Sequence, residues 1–303
     1  MRQPMKSSQR WIIVDGRNLL WRATSAMEEL QAGKRKTGGA YGFLVSLLRI
    51  HSAYNGRIVI AWEGSDRNFR YDIFPAYKPR TPSDERDALV KLVIEQESIL
   101  RQLLKYAGIA QYIGTACEAD DVIGTLAIRK YANAESVLIY SMDSDLRQLV
   151  GGNVKLVSPS WSGEEVLYDA DKVVERYGVP PASVAELKAL MGDASDGVPG
   201  VRGLGLKTAV KLLVAYGTLD RVMEAAVKGT ETPCWPVAER FRCLVKSELE
   251  NLRLYRQVTR IKTDIPLKVI KPTPNTVKLL KSMQSLKYRS LINRLRDIMA
   301  LGQ

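Results

Sequence analysis

Glu118, Asp120, Asp121, Asp143 and Asp145 crowd five carboxylates into one stretch of a 303-residue chain. Acids this dense cannot all stay ionised without a counter-charge. A hard divalent cation with oxygen ligands supplies one, and Mg²⁺ or Mn²⁺ suits carboxylates that leave room for water and phosphate oxygens. Two such ions, about 4 Å apart, are suited to activating water and stabilising the leaving oxygen of an in-line phosphodiester displacement. Helix N-caps and solvated acids are the alternative, sufficient for any one of these residues and strained for all of them. Other metal and nucleophile chemistries lack their residues. His51 is the only histidine, and Cys117, Cys234 and Cys243 are scattered, so no His-based triad, zinc site or disulfide framework is expected.

Around these acids the chain is basic, with 45 Lys and Arg against 33 Asp and Glu, a net charge of +12. That balance points to a polyanion, nucleic acid or an acidic membrane surface. It is also segregated: from Asn251 onward the acids are Asp264 and Asp297, set among Arg and Lys from Arg253 to Arg296. No apolar run approaches the ~18 residues of a membrane span. Met1–Ser8 is charged without an apolar stretch, so no secretory signal is expected.

The elements that must position the acids are three short apolar runs, each ending on one. Trp11-Ile12-Ile13-Val14 runs into Asp15, Ile58-Val59-Ile60-Ala61-Trp62 into Glu63, and Val137-Leu138-Ile139-Tyr140 through Ser141-Met142 into Asp143 and Asp145. Such runs separated by helical stretches predict buried parallel strands of an α/β sheet, whose carboxyl ends share one ligand-binding edge. Two further strands are expected between Val154 and Tyr168. Helical spacing marks Gly42–Ile50, Ala88–Tyr106, Glu118–Ala127 and Asp169–Tyr177. A second, helix-rich region begins at Ala182, with a helix through Leu190, another over Leu206–Tyr216 and an extended stretch at Arg260–Ile270.

Between those two helices lies Val198-Pro199-Gly200-Val201-Arg202-Gly203-Leu204-Gly205. It lacks the third glycine of a dinucleotide fingerprint, and Leu206 separates Gly205 from Lys207, so the Walker A pattern fails too. A tight turn into a helix N-terminus remains, suited to a phosphate, with Lys207 and Lys211 on one helix face. A plain helix-turn-helix packing turn is the alternative.

EADDVIGTLA at Glu118–Ala127, LMGDASD at Leu190–Asp196 and VPGVRGLGLKTA at Val198–Ala209 closely resemble the 5′ nuclease family. That family includes the 5′→3′ exonuclease domain of bacterial DNA polymerase I, free-standing bacteriophage 5′ nucleases and eukaryotic flap endonucleases. IIVDGRNLLWRA, Tyr77-Lys78, VLIYSMDSDLRQLV and RYGVPP extend the likeness over residues 11 to 265. The resemblance implies a mainly parallel, PIN-like α/β core over residues 1–181, with a helical arch at about 75–106. A helix-hairpin-helix DNA-binding region and basic C-terminal segment would occupy 182–303.

By the same resemblance, Asp15, Glu118, Asp120, Asp121, Asp143, Asp145, Asp193 and Asp196 match carboxylates that hold two divalent ions. Glu63 takes the place of an aspartate, Met142 that of a glycine, and the arch begins one residue shorter than usual. Lys78 matches a basic residue that acts on the scissile phosphate, with Arg80 its neighbour. Tyr77 is a stacking surface for a base, or else ordinary loop packing, and Arg70 a DNA contact. Gly200, Arg202, Gly203, Gly205, Lys207, Thr208 and Lys211 match a turn that grips duplex backbone and binds K⁺ through carbonyls. The implied activity is structure-specific hydrolysis of DNA near 5′ flaps or ends by a stand-alone, monomeric enzyme of a bacterial or phage-infected cytoplasm. Primer and flap removal in replication and repair, RNA primer–DNA hybrids and a polymerase partner belong to the same expectation. A non-catalytic DNA-structure-binding protein and a PIN-type RNase are the rivals; PIN domains generally lack the glycine turn.

Overall fold

The computed structural model describes residues 9–64, 66–79, 83–229 and 235–302. In chain order its strands are β1 (Arg10–Asp15), a hairpin of β2 (Gln31–Ala32) and β3 (Arg35–Lys36), β4 (Arg57–Trp62), β5 (Ala110–Gly114), β6 (Ser136–Tyr140), β7 (Val154–Pro159), β8 (Glu165–Tyr168) and β9 (Leu267–Ile270). Helices α1 (Gly16–Ala26) and α2 (Gly38–Tyr54) precede β4. Helices α3 (Arg70–Ile73) and α4 (Asp84–Ala107) join β4 to β5, and α5 (Ala119–Thr125) with a π-helical continuation leads to β6. After α6 (Ala170–Tyr177) come five helices in succession, α7 (Val184–Met191), α8 (Leu206–Tyr216), α9 (Leu219–Lys228), α10 (Glu239–Ser247) and α11 (Leu249–Thr259). Three more, α12 (Thr276–Ser285), α13 (Arg289–Ile292) and α14 (Leu295–Ala300), follow β9.

The large sheet has the order β8-β7-β6-β1-β4-β5-β9. Its five central strands are parallel, and β8 and β9 run antiparallel at the two edges. β1 is central because successive residues bury opposite faces. Ile12 and Val14 join Ile58, Ile60 and Trp62 in one core, while Ile13 joins Val59 and Ala61 in the other. The chain steps from β1 outward through β4 to β5, then returns to β6 on the far side of β1. That reversal opens a crevice beyond the carboxyl ends of β1 and β6, the usual ligand position in such sheets. A third core, with Leu187, Leu190, Leu204, Leu212, Val222 and Leu252, holds α7–α11 together.

Two boundaries differ from the sequence expectation. The segment after α11 does not stay with the helical unit. β9 pairs with β5 in the register Tyr112↔Val269, and Leu279, Met283, Leu291 and Ile298 pack into the core beneath β1 and β4. Residues 267–301 therefore belong to the α/β layer; their basic exposed face masks an apolar stripe with Leu279 and Met283 one turn apart. The second difference concerns the arch. The first turns of α4 are exposed, but from Val93 through Gln96, Leu100, Leu103 and Leu104 its face is buried, so the C-terminal half is core. The sequence pattern does not predict β5: its sequence AQYIG is short and carries Gln111, which is fully buried with its Oε1 accepting from Trp62 Nε1 at 3.0 Å.

Leu279→Ala should destabilise the α/β layer by about 2–5 kcal/mol in urea unfolding; an unchanged midpoint would mean that the C-terminal helices do not stabilise the sheet.

Candidate metal and nucleic-acid site at the carboxyl edge of the sheet

Asp15 ends β1 and caps α1, its Oδ1 accepting from Asn18 N–H at 3.1 Å. Its Oδ2 accepts from the Ser141 hydroxyl at 2.8 Å, just past β6, and that hydroxyl oxygen in turn accepts from Asp143 N–H at 3.1 Å. One serine thus couples the ends of two neighbouring strands. Asp143 Oδ1 accepts from Asp145 N–H at 2.9 Å, which turns the chain sharply after β6. Glu118 and Asp121 form a reciprocal capping box at the start of α5, leaving Asp120 in the first turn to face the crevice. Glu63, beyond β4, is paired with Arg17 of α1, whose other nitrogen donates to Glu97 Oε2 of α4 at 2.9 Å.

Asp15, Glu63, Glu118, Asp120 and Asp143 line a single cleft of about 450 Å³. Burial is the main force on these acids. It pushes Asp15 up to about 6, opposed by the Ser141 and Asn18 hydrogen bonds. It raises Asp120 well above the usual carboxylate range, and Asp143, Glu118, Asp15 and Asp145 push in the same direction. Asp143 rises through burial and the neighbouring Asp145 charge. No hydrogen bond or ion pair to a described residue satisfies the Asp120 carboxylate. A buried oxygen anion among other carboxylates, with no cation partner among the described residues, fits a hard divalent ion.

Beside the cleft, carboxylate oxygens of Asp145, Asp193 and Asp196 lie within 4.8 Å of one another. Lys188 of α7 spans two of them, donating to Asp145 and, at 2.7 Å, to Asp193 Oδ2. Burial alone would raise Asp193, but the Lys188 ammonium and Ser195 outweigh it and hold the carboxyl below its ordinary value. Asp196, with burial dominant, is pushed up to about 6. Lys78 joins the two groups: its Nζ donates to Glu118 Oε1 at 2.7 Å and lies 3.7 Å from Asp196 Oδ1. Its backbone takes the left-handed φ of 45°, and its N–H donates to the Asp196 carbonyl at 2.9 Å. Burial works against the ammonium, yet Glu118, Tyr77 and Asp196 prevail and keep it charged.

Three sequence expectations are corrected by this geometry. Asp121 is fully buried and faces away from the acids. Its oxygens accept from Arg70 Nη1 and Nη2 at 2.6 and 2.9 Å, from Lys262 N–H at 2.8 Å and from Glu118 N–H at 3.2 Å, which leaves no lone pair for a metal. Arg70 is correspondingly no DNA contact. It is 2% exposed, and Nε and Nη2 donate to the Val258 and Arg260 carbonyls, which ties α3 and α5 to the end of α11. Tyr77 offers no free ring face for a base: it is buried in the helical core and its hydroxyl donates to Glu118 Oε2 at 3.0 Å. Arg80 lies outside the described residues.

The glycine turn stands on the helical unit. Val201 and Leu204 anchor it, and Gly200, at φ +65°, is pressed against the backbone of Met191 and Gly192 where no side chain fits. Gly205 caps α8, with Arg202, Gly203, Lys207 and Lys211 exposed around it and Thr208 half-buried, its N–H donating to the Gly205 carbonyl at 3.0 Å. The sequence pattern does not single out Arg17, Lys188 or Trp161. Arg17 stands two residues after Asp15, a visible signal, whereas Lys188 and Trp161 reach the site only through tertiary folding.

A sheet that gathers buried acids at its carboxyl edge, next to an exposed basic turn, is the arrangement of a metal-dependent nucleic-acid hydrolase. Residues 10–178 match the family model described as 5′-3′ exonuclease, N-terminal resolvase-like domain, and residues 179–287 match 5′-3′ exonuclease, C-terminal SAM fold. The chain belongs to the 5′-3′ exonuclease family. A 5′-3′ exonuclease of Buchnera aphidicola is 31% identical over 269 residues, covering 88% of this chain and 91% of that protein. DNA polymerase I of Pseudomonas aeruginosa is 32% identical over 308 residues, 96% of this chain but only 32% of the polymerase. Among solved structures, a bacteriophage T5 5′-exonuclease with bound zinc shares the fold at a TM-score of 0.69 and 19% identity, covering 97% of this chain and 100% of that one. Human GEN1 in complex with Holliday junction DNA shares it at 0.62 and 14%, over 94% and 70% of the two chains.

Asp15 and Asp196, raised to about 6, hold protons in the fold that the unfolded chain releases. In EDTA, stability should therefore fall as pH rises from about 4 through 6, read as a lower Tm at neutral than at mildly acidic pH, with Mg²⁺ reversing the trend. A flat profile would mean that the acids are not strained by burial. Asp120→Asn should raise the EDTA Tm at neutral pH. Asp121→Asn should instead cost about 3–5 kcal/mol with or without Mg²⁺, because Arg70 loses its buried partner.

Proposed function

We propose that this chain is a structure-specific 5′ nuclease that hydrolyses DNA near 5′ flaps and ends. The observation that carries the reading is Asp120, a buried carboxylate facing Asp15, Glu118 and Asp143 in the cleft and paired with no cation among the described residues. Asp15, Glu118, Asp120 and Asp143 would hold one Mg²⁺ or Mn²⁺, and Asp145, Asp193 and Asp196 a second. Glu63, bound to Arg17, would act at longer range. Such ions supply charge neutralisation and water activation to an in-line displacement.

The chain's own groups do the rest. Lys78, kept charged between Glu118 and Asp196, places an ammonium where negative charge grows on the phosphate. Attack by a water oxygen, which gives up a proton to solvent, forms the new P–O bond and breaks the bond to the 3′ oxygen; that oxygen takes up a proton, leaving a 5′-phosphate and a 3′-hydroxyl. Arg202, Lys207 and Lys211 around the Gly200–Gly205 turn hold the duplex by its backbone, and carbonyls of that turn bind K⁺. Within this reading the enzyme removes flaps and RNA primers from primer–DNA hybrids in replication and repair, as a monomer in a bacterial or phage-infected cytoplasm, alongside a polymerase. No described helix is long and apolar enough to cross a membrane.

A 5′-labelled flap duplex should be cut near its junction in Mg²⁺ and left intact in EDTA, and Asp143→Asn should abolish cutting while flap binding persists. Lys78→Ala should lower kcat by about 10²- to 10³-fold with little change in KM. Tight flap binding without cutting in either Mg²⁺ or Mn²⁺ would overturn the nuclease reading.

A further inference from the structure

Next to the acid cleft lies a second hollow that the mechanism above leaves unused. Its volume is about 290 Å³, at the small end of ligand pockets. It shares Arg22 and Trp161 with the cleft, so those two side chains border both. Leu19, Met27 and Ser46 line its interior, and Arg49 stands at one side; none of its lining residues is an acid. This is a sharp change of character from the carboxylate cleft beside it.

Trp161 sits in the turn between β7 and β8 with 66% of its surface exposed. An indole left in water at the lip of a cleft keeps a large apolar face available for stacking. Arg22 of α1 is tied to the same turn, its Nη2 donating to the Ser160 carbonyl at 3.0 Å. It also interacts with the Tyr140 side chain, and no described carboxylate forms an ion pair with it. Arg49 differs: it already donates to the Tyr140 hydroxyl at 2.9 Å and to Glu165 Oε1 at 3.0 Å, and its charge is matched. The hollow therefore presents an aromatic face, an aliphatic wall and one guanidinium that no described carboxylate pairs. Stacking is open to every base because each has a π-face, and a guanidinium fork suits a phosphate.

We propose that this hollow takes one unpaired nucleobase of the strand being cut, stacked on Trp161, with the adjoining phosphate on Arg22. The proposal rests on the nuclease reading for the identity of the strand, and it adds a positioning subsite to that reaction. The base on Trp161 sets where the neighbouring phosphodiester lies over Asp120 and Asp143.

The test uses flap duplexes carrying 2-aminopurine at successive nucleotides around the junction, with binding read by fluorescence in EDTA. Quenching is expected at one position with the native protein, lost with Trp161→Ala and retained with Trp161→Phe. In Mg²⁺, Trp161→Ala should lower kcat/KM by on the order of ten-fold, with Phe recovering most of it. An abasic nucleotide at the quenched position should cost the native protein a similar factor and cost Trp161→Ala nothing further. Native protein that cuts flaps with no Trp161-dependent quenching, and cuts abasic flaps equally well, overturns the subsite and leaves the nuclease reading standing. Trp161-dependent quenching without any cutting does the reverse. Neither binding nor cutting removes both. Because Trp161 is exposed, an unchanged Tm of its variants verifies that the losses do not come from unfolding.

Discussion

Asp120 is held in the first turn of α5 with the charges of Asp143, Glu118 and Asp15 around it, and the folded chain has to carry their mutual repulsion. Everything near the crevice bears on that strain. The Ser141 hydroxyl bonds Asp15 and fixes Asp143, Lys188 takes up Asp145 and Asp193, and Lys78 spans Glu118 and Asp196. These devices neutralise the periphery and leave the centre bare. The centre is where a divalent ion, and through it a phosphate, would lower the free energy most.

A separate buried pair makes this arrangement possible. Arg70 and Asp121 saturate each other and four backbone groups away from solvent, joining α3, the start of α5 and the end of α11. Because Asp121 points inward with its partner, Asp120 points outward. Adjacent acids with opposite fates follow from helix geometry, in which successive side chains diverge by roughly 100° around the axis.

Much of the frame was legible in the residues. Strands β1, β4 and β6 announced themselves as apolar runs ending on acids, and α8 began and ended at Leu206 and Tyr216 as its pattern predicts. What could not be read was the direction of individual side chains. Asp120 and Asp121 are the same residue type in the same turn, and only the tertiary position of Arg70 separates them. Tyr77 likewise follows from the core it enters, not from the loop it belongs to. β5 was hidden because a buried glutamine breaks its apolar run, and the C-terminal helices because their charge drew attention from Leu279 and Met283.

The antiparallel pairing of β9 with β5 places the helical unit of α7–α11 between two segments of the same α/β layer. A unit entered from one part of a sheet and left through another is a closed loop rather than a pendant domain. Its freedom to rotate or drift is restricted at both ends, before the contacts of Lys188, Tyr77 and Arg70 are counted. The separation between the basic turn and the acid cleft is thus a dimension of the fold itself. A duplex held by that turn, as proposed above, would be measured against the acids by the protein, as by a gauge, whatever the sequence of its bases.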